Sequence, residues 1–145
     1  MSFEPLDPES EQRARELFTN QPVMATIGAY IVTVESGRCV LGVPWNPGIT
    51  QQDGFLHAGI LATLADNACG AAAYTLMPAG ARVLSIEFKI NMLSPAVGES
   101  FEADAHVIRA GRTVSACRCD VFALRDGGRK LVAAMQATMM TVQSA

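Results

Sequence analysis

From Gly54 to Ala81 the chain runs for 28 residues with a single formal charge, Asp66. Between His57 and Met77 this stretch is rich in Ala and Leu, has no internal proline and ends at Pro78-Ala79-Gly80, which reads as a helix of about five to six turns. Four segments of alternating apolar and polar residues follow, at 82–93, 99–109, 112–125 and 129–142, each with the period of a half-buried strand. An apolar helix of that length must be covered, and the strands are the available cover. The chain therefore reads as α+β, with one curved antiparallel sheet and one long buried helix. Length alone would also suit a membrane span. An aspartate near the middle would cost roughly 2.5–3.5 kcal/mol there, and Asn67 adjoins it, so the helix belongs to a protein core and no membrane partner is expected.

The remainder fits a single domain, 1–145, since 145 residues of which half are apolar suffice for one core. Asp7-Pro8-Glu9 reads as N-cap, first-turn proline and first-turn acid of a short helical arm at about 7–20. Ala29–Glu35 and Cys39–Val43 form a hairpin over Ser36-Gly37, and Pro44–Gly54, with two prolines, two glycines and the polar run Thr50-Gln51-Gln52-Asp53, is loop. The connectors 94–98, 110–111 and 126–128 carry turn residues, which predicts that consecutive strands pair antiparallel.

Charge is unevenly placed. The net −3 comes wholly from residues 1–16, whereas residues 105–145 hold six bases (Arg109, Arg112, Arg118, Arg125, Arg129, Lys130) and two acids (Asp120, Asp126). A basic patch of this size suits a small anionic ligand, and without a Lys/Arg run interleaved with aromatics no nucleic-acid partner is expected. The four cysteines (39, 69, 117, 119) and two histidines (57, 106) offer no CxxC pair and no metal-ligand spacing, so free thiols and no metal are expected. The N-terminus lacks a basic and apolar leader pattern, which gives the expectation of a cytoplasmic protein.

Asp66 is the residue that needs a reason. Its helical neighbours on the same face, Gly59, Ala62, Gly70 and Ala73, are all small and leave a trough through which another group can approach the carboxylate. A carboxylate in apolar surroundings is either satisfied by hydrogen bonds or kept reactive. The helix starts at His57-Ala58-Gly59, where free N–H groups and the positive dipole end form a natural oxyanion hole. His57, nine residues before Asp66, is turned by about 180° around the axis, so the two form no dyad within one chain and His57 reads as an orienting or capping residue.

The string Gln51-Gln-Asp-Gly-Phe-Leu-His57-Ala-Gly-Ile-Leu-Ala-Thr-Leu-Ala-Asp66 resembles the signature of hotdog-fold acyl-CoA thioesterases of the phenylacetate-degradation (PaaI-like) type. Ser85-Ile-Glu-Phe-Lys-Ile-Asn91 and Arg109-Ala-Gly-Arg112 resemble that family's next strand and its Arg-x-Gly-Arg turn. The resemblance covers roughly residues 20–142. It implies a hotdog fold, a sheet wrapped around one central helix, and hydrolysis of an acyl-CoA thioester with no cofactor beyond the coenzyme A of the substrate.

Carried over residue by residue, it makes Asp66 the nucleophile or general base, Gln51 a hydrogen-bonding partner of the reacting centre, the amide of Ala58 the oxyanion donor and Ser85 an active-site hydroxyl. His57 starts the helix. Arg109, Ala110, Gly111 and Arg112 fall where coenzyme A is held. The first glycine after the histidine in the family pattern is here Ala58, which keeps its N–H. The resemblance further implies a homodimer, paired again into a homotetramer, with Asp66 of one chain facing the helix start of the other. Two alternatives stand beside it: a hotdog acyl-CoA hydratase or dehydratase, and a non-catalytic acyl-CoA sensor.

Overall fold

The computed structural model describes residues 2–144. Two short helices, α1 (Ser10–Thr19) and α2 (Pro22–Ile27), precede a hairpin of β1 (Tyr30–Glu35) and β2 (Arg38–Pro44). A 3-10 turn at Pro47–Ile49 leads to the long helix α3 (Ala58–Tyr74), and β3 (Arg82–Met92), β4 (Ser100–Ala110), β5 (Val114–Arg125) and β6 (Gly128–Val142) follow. All six strands make one antiparallel sheet in the order β1-β2-β4-β5-β6-β3. The helix α3 packs against every strand.

The core lies between α3 and the inner face of the sheet. Leu61, Leu64, Ala65, Ala68 and Cys69 of the helix meet Leu41, Phe101, Val121 and Met139 of the strands, all at most 2% exposed. Burying one such Leu is worth about 1.5–3 kcal/mol. Alanines at 103, 105, 133 and 137 of the inner face are likewise buried, and their small side chains let the helix sit close to the sheet. Cys117 and Cys119 alternate inward along β5 with Ser115 and Val121, as their spacing of two requires.

Three sequence expectations change. The arm helix runs from Ser10 instead of Pro8, while the Asp7 carboxylate still makes the bond of a cap ahead of it: it accepts the Glu9 N–H at 3.0 Å and pairs with Arg13 at 2.6 Å. That Glu9 bond, with Arg13 beside it, holds the Asp7 carboxyl below the usual carboxylate range. Arg13 also donates to the Met77 carbonyl at 3.0 Å and lies over the Tyr74 ring, so the arm is clasped to the C-terminal end of α3. A second helix, α2, is present where none was expected; its signals are Pro22 in the first turn and Gly28, left-handed at φ 75°, as C-cap.

The third change concerns pairing. The segment 94–98 is not a hairpin turn, since β3 pairs with β6 and β4 pairs with β2 and β5. Leu93 N–H and Ser94 N–H bond to Val132 while Leu56 N–H bonds to Ala96, so this connector crosses the end of the sheet beneath the start of α3. The result is that β3 is an edge strand. Among the described residues no helix is long and apolar enough to cross a membrane.

Candidate active site

At the start of α3 each amide has a distinct fate. The His57 side chain is the N-cap, its Nδ1 accepting the Gly59 N–H at 2.8 Å. The His57 carbonyl accepts the N–H groups of Ile60 and Leu61. Ala58 is therefore the first helical residue, and its N–H has no acceptor among the described residues. A free amide at the positive end of a helix dipole favours a developing negative charge.

That amide borders a cavity of about 150 Å³ shared by Gln51, Phe55, Leu61, Met92, Pro95 and Ala96. The loop that closes it is tied by its own hydrogen bonds. Gln51 Oε1 accepts the N–H of Asp53 at 2.5 Å and of Phe55 at 3.2 Å, Gln51 N–H donates to Phe55 O at 2.9 Å, and the Trp45 indole N–H donates to Gly54 O at 3.1 Å. Gln51 is thus at the cavity wall, held by its own turn. With Nδ1 of His57 occupied by the cap, the histidine serves the helix start and is not arranged as a base toward Asp66.

Asp66 sits two turns further along α3. It is half-buried, not sequestered as the apolar context suggests, because the small Gly70 on the next turn leaves it open to a second cavity of about 130 Å³. Leu17 and Gln21 of the arm, Asn67 and Ala71 of α3, and Val83 and Ser85 of β3 complete that cavity. Ser85 Oγ donates to Asp66 Oδ1 at 2.7 Å; Met139 Sδ, at 3.4 Å, is a weak acceptor and does not compete for the hydroxyl proton. Asp66 Oδ2 has no partner among the described residues. Asn67 is fixed beside it, its Nδ2 donating to Gln21 Oε1 at 2.5 Å while Gln21 Nε2 donates to Leu17 O at 3.2 Å. The Gln21–Asn67 pair was not foreseen from the sequence; its only signal is the polar Asn67 next to Asp66 on an apolar helix.

Ser85 reaches Asp66 through an irregularity. Strict alternation from Ile86 to Met92 would place Ser85 on the polar outer face, with Glu87 and Lys89. The pairing of β3 with β6 shifts between Ser85 and Glu87, so Ile86 is a bulge. Ser85 opposes buried Met139, and Phe88, Ile90 and Met92 oppose buried Ala137, Met135 and Ala133. A bulge inserts one residue and so exchanges the faces on either side of it.

The sequence-derived residues thus fall into two separate half-sites, Gln51 with His57 and Ala58, and Asp66 with Ser85. The step of eight residues along α3 from Ala58 to Asp66 corresponds to about 12 Å of rise, too far for one carbonyl to engage both. Arg109 and Ala110 end β4 and Gly111 and Arg112 follow in the β4–β5 turn, all four exposed. Gly111 is required there, because a Cβ would stand 2.4 Å from the Val114 carbonyl oxygen. This turn lies at the opposite end of β4 from the Ala58 cavity, roughly 30 Å of strand away.

A six-stranded sheet wrapped on one helix, with a free helix-start amide and a serine-bound aspartate, defines a hotdog protein of the thioesterase kind. The Thioesterase superfamily model matches residues 53–129. The chain belongs to this thioesterase superfamily, a family of thioester hydrolases. A thioesterase family protein from Silicibacter pomeroyi is 47% identical, with a TM-score of 0.90 over 92% of this chain and 98% of that one. Human acyl-coenzyme A thioesterase 13 is 31% identical over 104 residues, 71% of this chain and 72% of that protein. The PaaI protein from the phenylacetic acid degradation operon of E. coli, 19% identical, shares the fold with a TM-score of 0.83 over 94% of this chain and 96% of that one. Against one archaeal relative from Saccharolobus solfataricus, 36% identical over 84 residues, the chain spans 59% of that protein's length.

Proposed function

We propose that the protein hydrolyses acyl-CoA thioesters to the free acid and coenzyme A. The observation that carries this reading is the pairing of a carboxylate, oriented on one oxygen by Ser85 and unpartnered on the other, with an unpartnered helix-start amide on the same helix. In the reaction the thioester oxygen rests on Ala58 N–H and the amide of Gln51 lies alongside it. Asp66 Oδ2 takes a proton from water while the water oxygen bonds to the carbonyl carbon. The tetrahedral intermediate then collapses, the C–S bond breaks and the thiolate leaves with that proton. In the covalent variant, Oδ2 itself attacks, expels the thiolate and is released from the anhydride by water. Label found in Asp66 after one turnover in ¹⁸O water identifies the covalent variant, with water opening the anhydride at the Asp66 carbonyl.

The active unit of this reading is a dimer, because the two half-sites of one chain do not meet. Edge strand β3 exposes Leu84, Ile86, Phe88 and Met92 at 59, 53, 45 and 42%, an apolar strand with a free edge that invites pairing. An antiparallel pair of β3 strands across a two-fold axis brings Ser85 of one chain toward Met92 of the other, and so Asp66 toward the cavity of Gln51 and Ala58. Leu84, Met140 and Val114 form an exposed row on the outer face that suits a second pairing into a tetramer. The four free, buried thiols fit a reducing compartment such as the cytoplasm. The direct test is thiol release from a panel of acyl-CoAs by the wild type and by Asp66→Asn, which should bind the substrates and turn them over about 100- to 10,000-fold more slowly.

A further inference from the structure

The N-terminal arm lies outside the stretch 53–129 that the family model matches, yet it walls the Asp66 cavity. Leu17 of α1 and Val83 of β3 line that cavity and also a neighbouring one of about 270 Å³, completed by Tyr74, Arg82 and Leu84. The two spaces lie in line along α3, from Asp66 to Tyr74, with β3 on one side and the arm on the other. Beyond Asp66 the trough is largely apolar. Gln21 and Asn67, the polar groups at its near end, are bonded to each other. A Cβ at Gly70 would meet nothing beyond its own helix within 4 Å, so the floor between the two cavities is open. Arg13 fixes the arm over this trough: it donates to the Met77 carbonyl at 3.0 Å and lies 5.0 Å from the Tyr74 ring centroid. Leu17 stands one helical turn further along the same face of α1.

We propose that the arm sets the acyl specificity of the enzyme, with Leu17 holding a straight, apolar acyl chain of medium length in the trough between α3 and β3. The inference rests on the thioester hydrolysis proposed above and names its substrate class. A carbonyl attacked by Asp66 stands at the head of the trough. The chain attached to it passes Gly70 and continues between Leu17 and Val83 toward Tyr74. The eight-residue step from Asp66 to Tyr74 is about 12 Å of helix rise. An extended chain advances about 1.2 Å per bond, so the trough takes about ten carbons. Each methylene removed from water there is worth about fourfold in kcat/KM, up to the length at which Tyr74 and the apolar stem of Arg82 close the end.

The test measures kcat/KM for butanoyl-, decanoyl- and tetradecanoyl-CoA in the wild type, in Leu17→Ala and in Gly70→Val. The wild-type value should rise from butanoyl to decanoyl and rise no further with tetradecanoyl. Leu17→Ala removes the wall that the arm supplies, and Gly70→Val plugs the floor with a residue that favours helix more than glycine does. A butanoyl group ends short of both positions. The decanoyl-to-butanoyl ratio should therefore fall at least about tenfold in each variant, the worth of two buried methylenes. Both substrates are read on the same preparation, so any loss of folded protein cancels in the ratio. A ratio that either variant leaves unmoved, or a wild type whose kcat/KM does not rise with chain length, overturns the trough and leaves hydrolysis standing. A wild type that releases thiol from none of the three overturns the parent reading instead.

Discussion

Ser85 Oγ spans from β3 to α3 and donates its proton to Asp66 Oδ1 at 2.7 Å. One carboxylate oxygen is thereby fixed and the other is left for chemistry. Asp66→Asn removes the charge while preserving the shape, so turnover should fall by about 100- to 10,000-fold with an unchanged melting temperature. Ser85→Ala should cost less, about tenfold in kcat, because the carboxylate loses one orienting bond and stays in place. Steady-state thiol release measures both.

The free amide of Ala58 can be deleted without disturbing the helix. Proline is tolerated at the first helical position, and His57 already has the extended ψ of 137° that a residue before proline needs. Ala58→Pro should lower kcat by about 100- to 1,000-fold, the usual cost of one oxyanion donor. Ala58→Gly keeps the N–H and should stay within a few-fold of wild type. Matching circular dichroism spectra with this split in rate would tie catalysis to the amide.

If the two half-sites meet only across β3, charge on that edge should cost both assembly and activity. Ile86 is the bulged, half-exposed residue of the strand, so Ile86→Glu leaves the single-chain core intact. Sedimentation should show a shift to monomer, and specific activity should fall in step with the monomer fraction and recover at high protein concentration. An active monomer would remove the shared site.

The thiols are expected to be inert in the folded protein. Burial pushes Cys39 up to about 12, and the contact with Cys69, together with burial, holds Cys117 far above its ordinary value. Iodoacetamide at pH 8 should leave all four cysteines unlabelled until the chain is unfolded, as mass spectrometry would show. Since these folded-state values are raised, the neutral thiols favour the fold below the unfolded value of about 8.5, and stability should decline as pH rises beyond it. Denaturant midpoints between pH 7 and 10 measure that slope.

Local pattern was enough for much of this molecule. The apolar run ending at Pro78 gave α3, Ser36-Gly37 gave the first hairpin, and the lone charge in an apolar helix marked Asp66, since each depends on the period and chemistry of neighbouring residues alone. The resemblance over Gln51–Asp66, Ser85–Asn91 and Arg109–Arg112 named the remaining site residues without placing them.

What local pattern could not reach was decided by packing. The pairing of β3 with β6 follows from closing one sheet around one helix, a relation between residues 82 and 142 that no turn signal between 94 and 98 can report. The bulge at Ile86 belongs to that pairing, and only through it does Ser85 share the face that reaches Asp66. Likewise the free Ala58 amide is what remains after His57 accepts hydrogen bonds from the N–H groups of Gly59, Ile60 and Leu61. Sequence spacing fixes which groups exist and their period along the chain; which face they turn to, and which donors stay unpaired, depends on how distant strands and the helix share their hydrogen bonds.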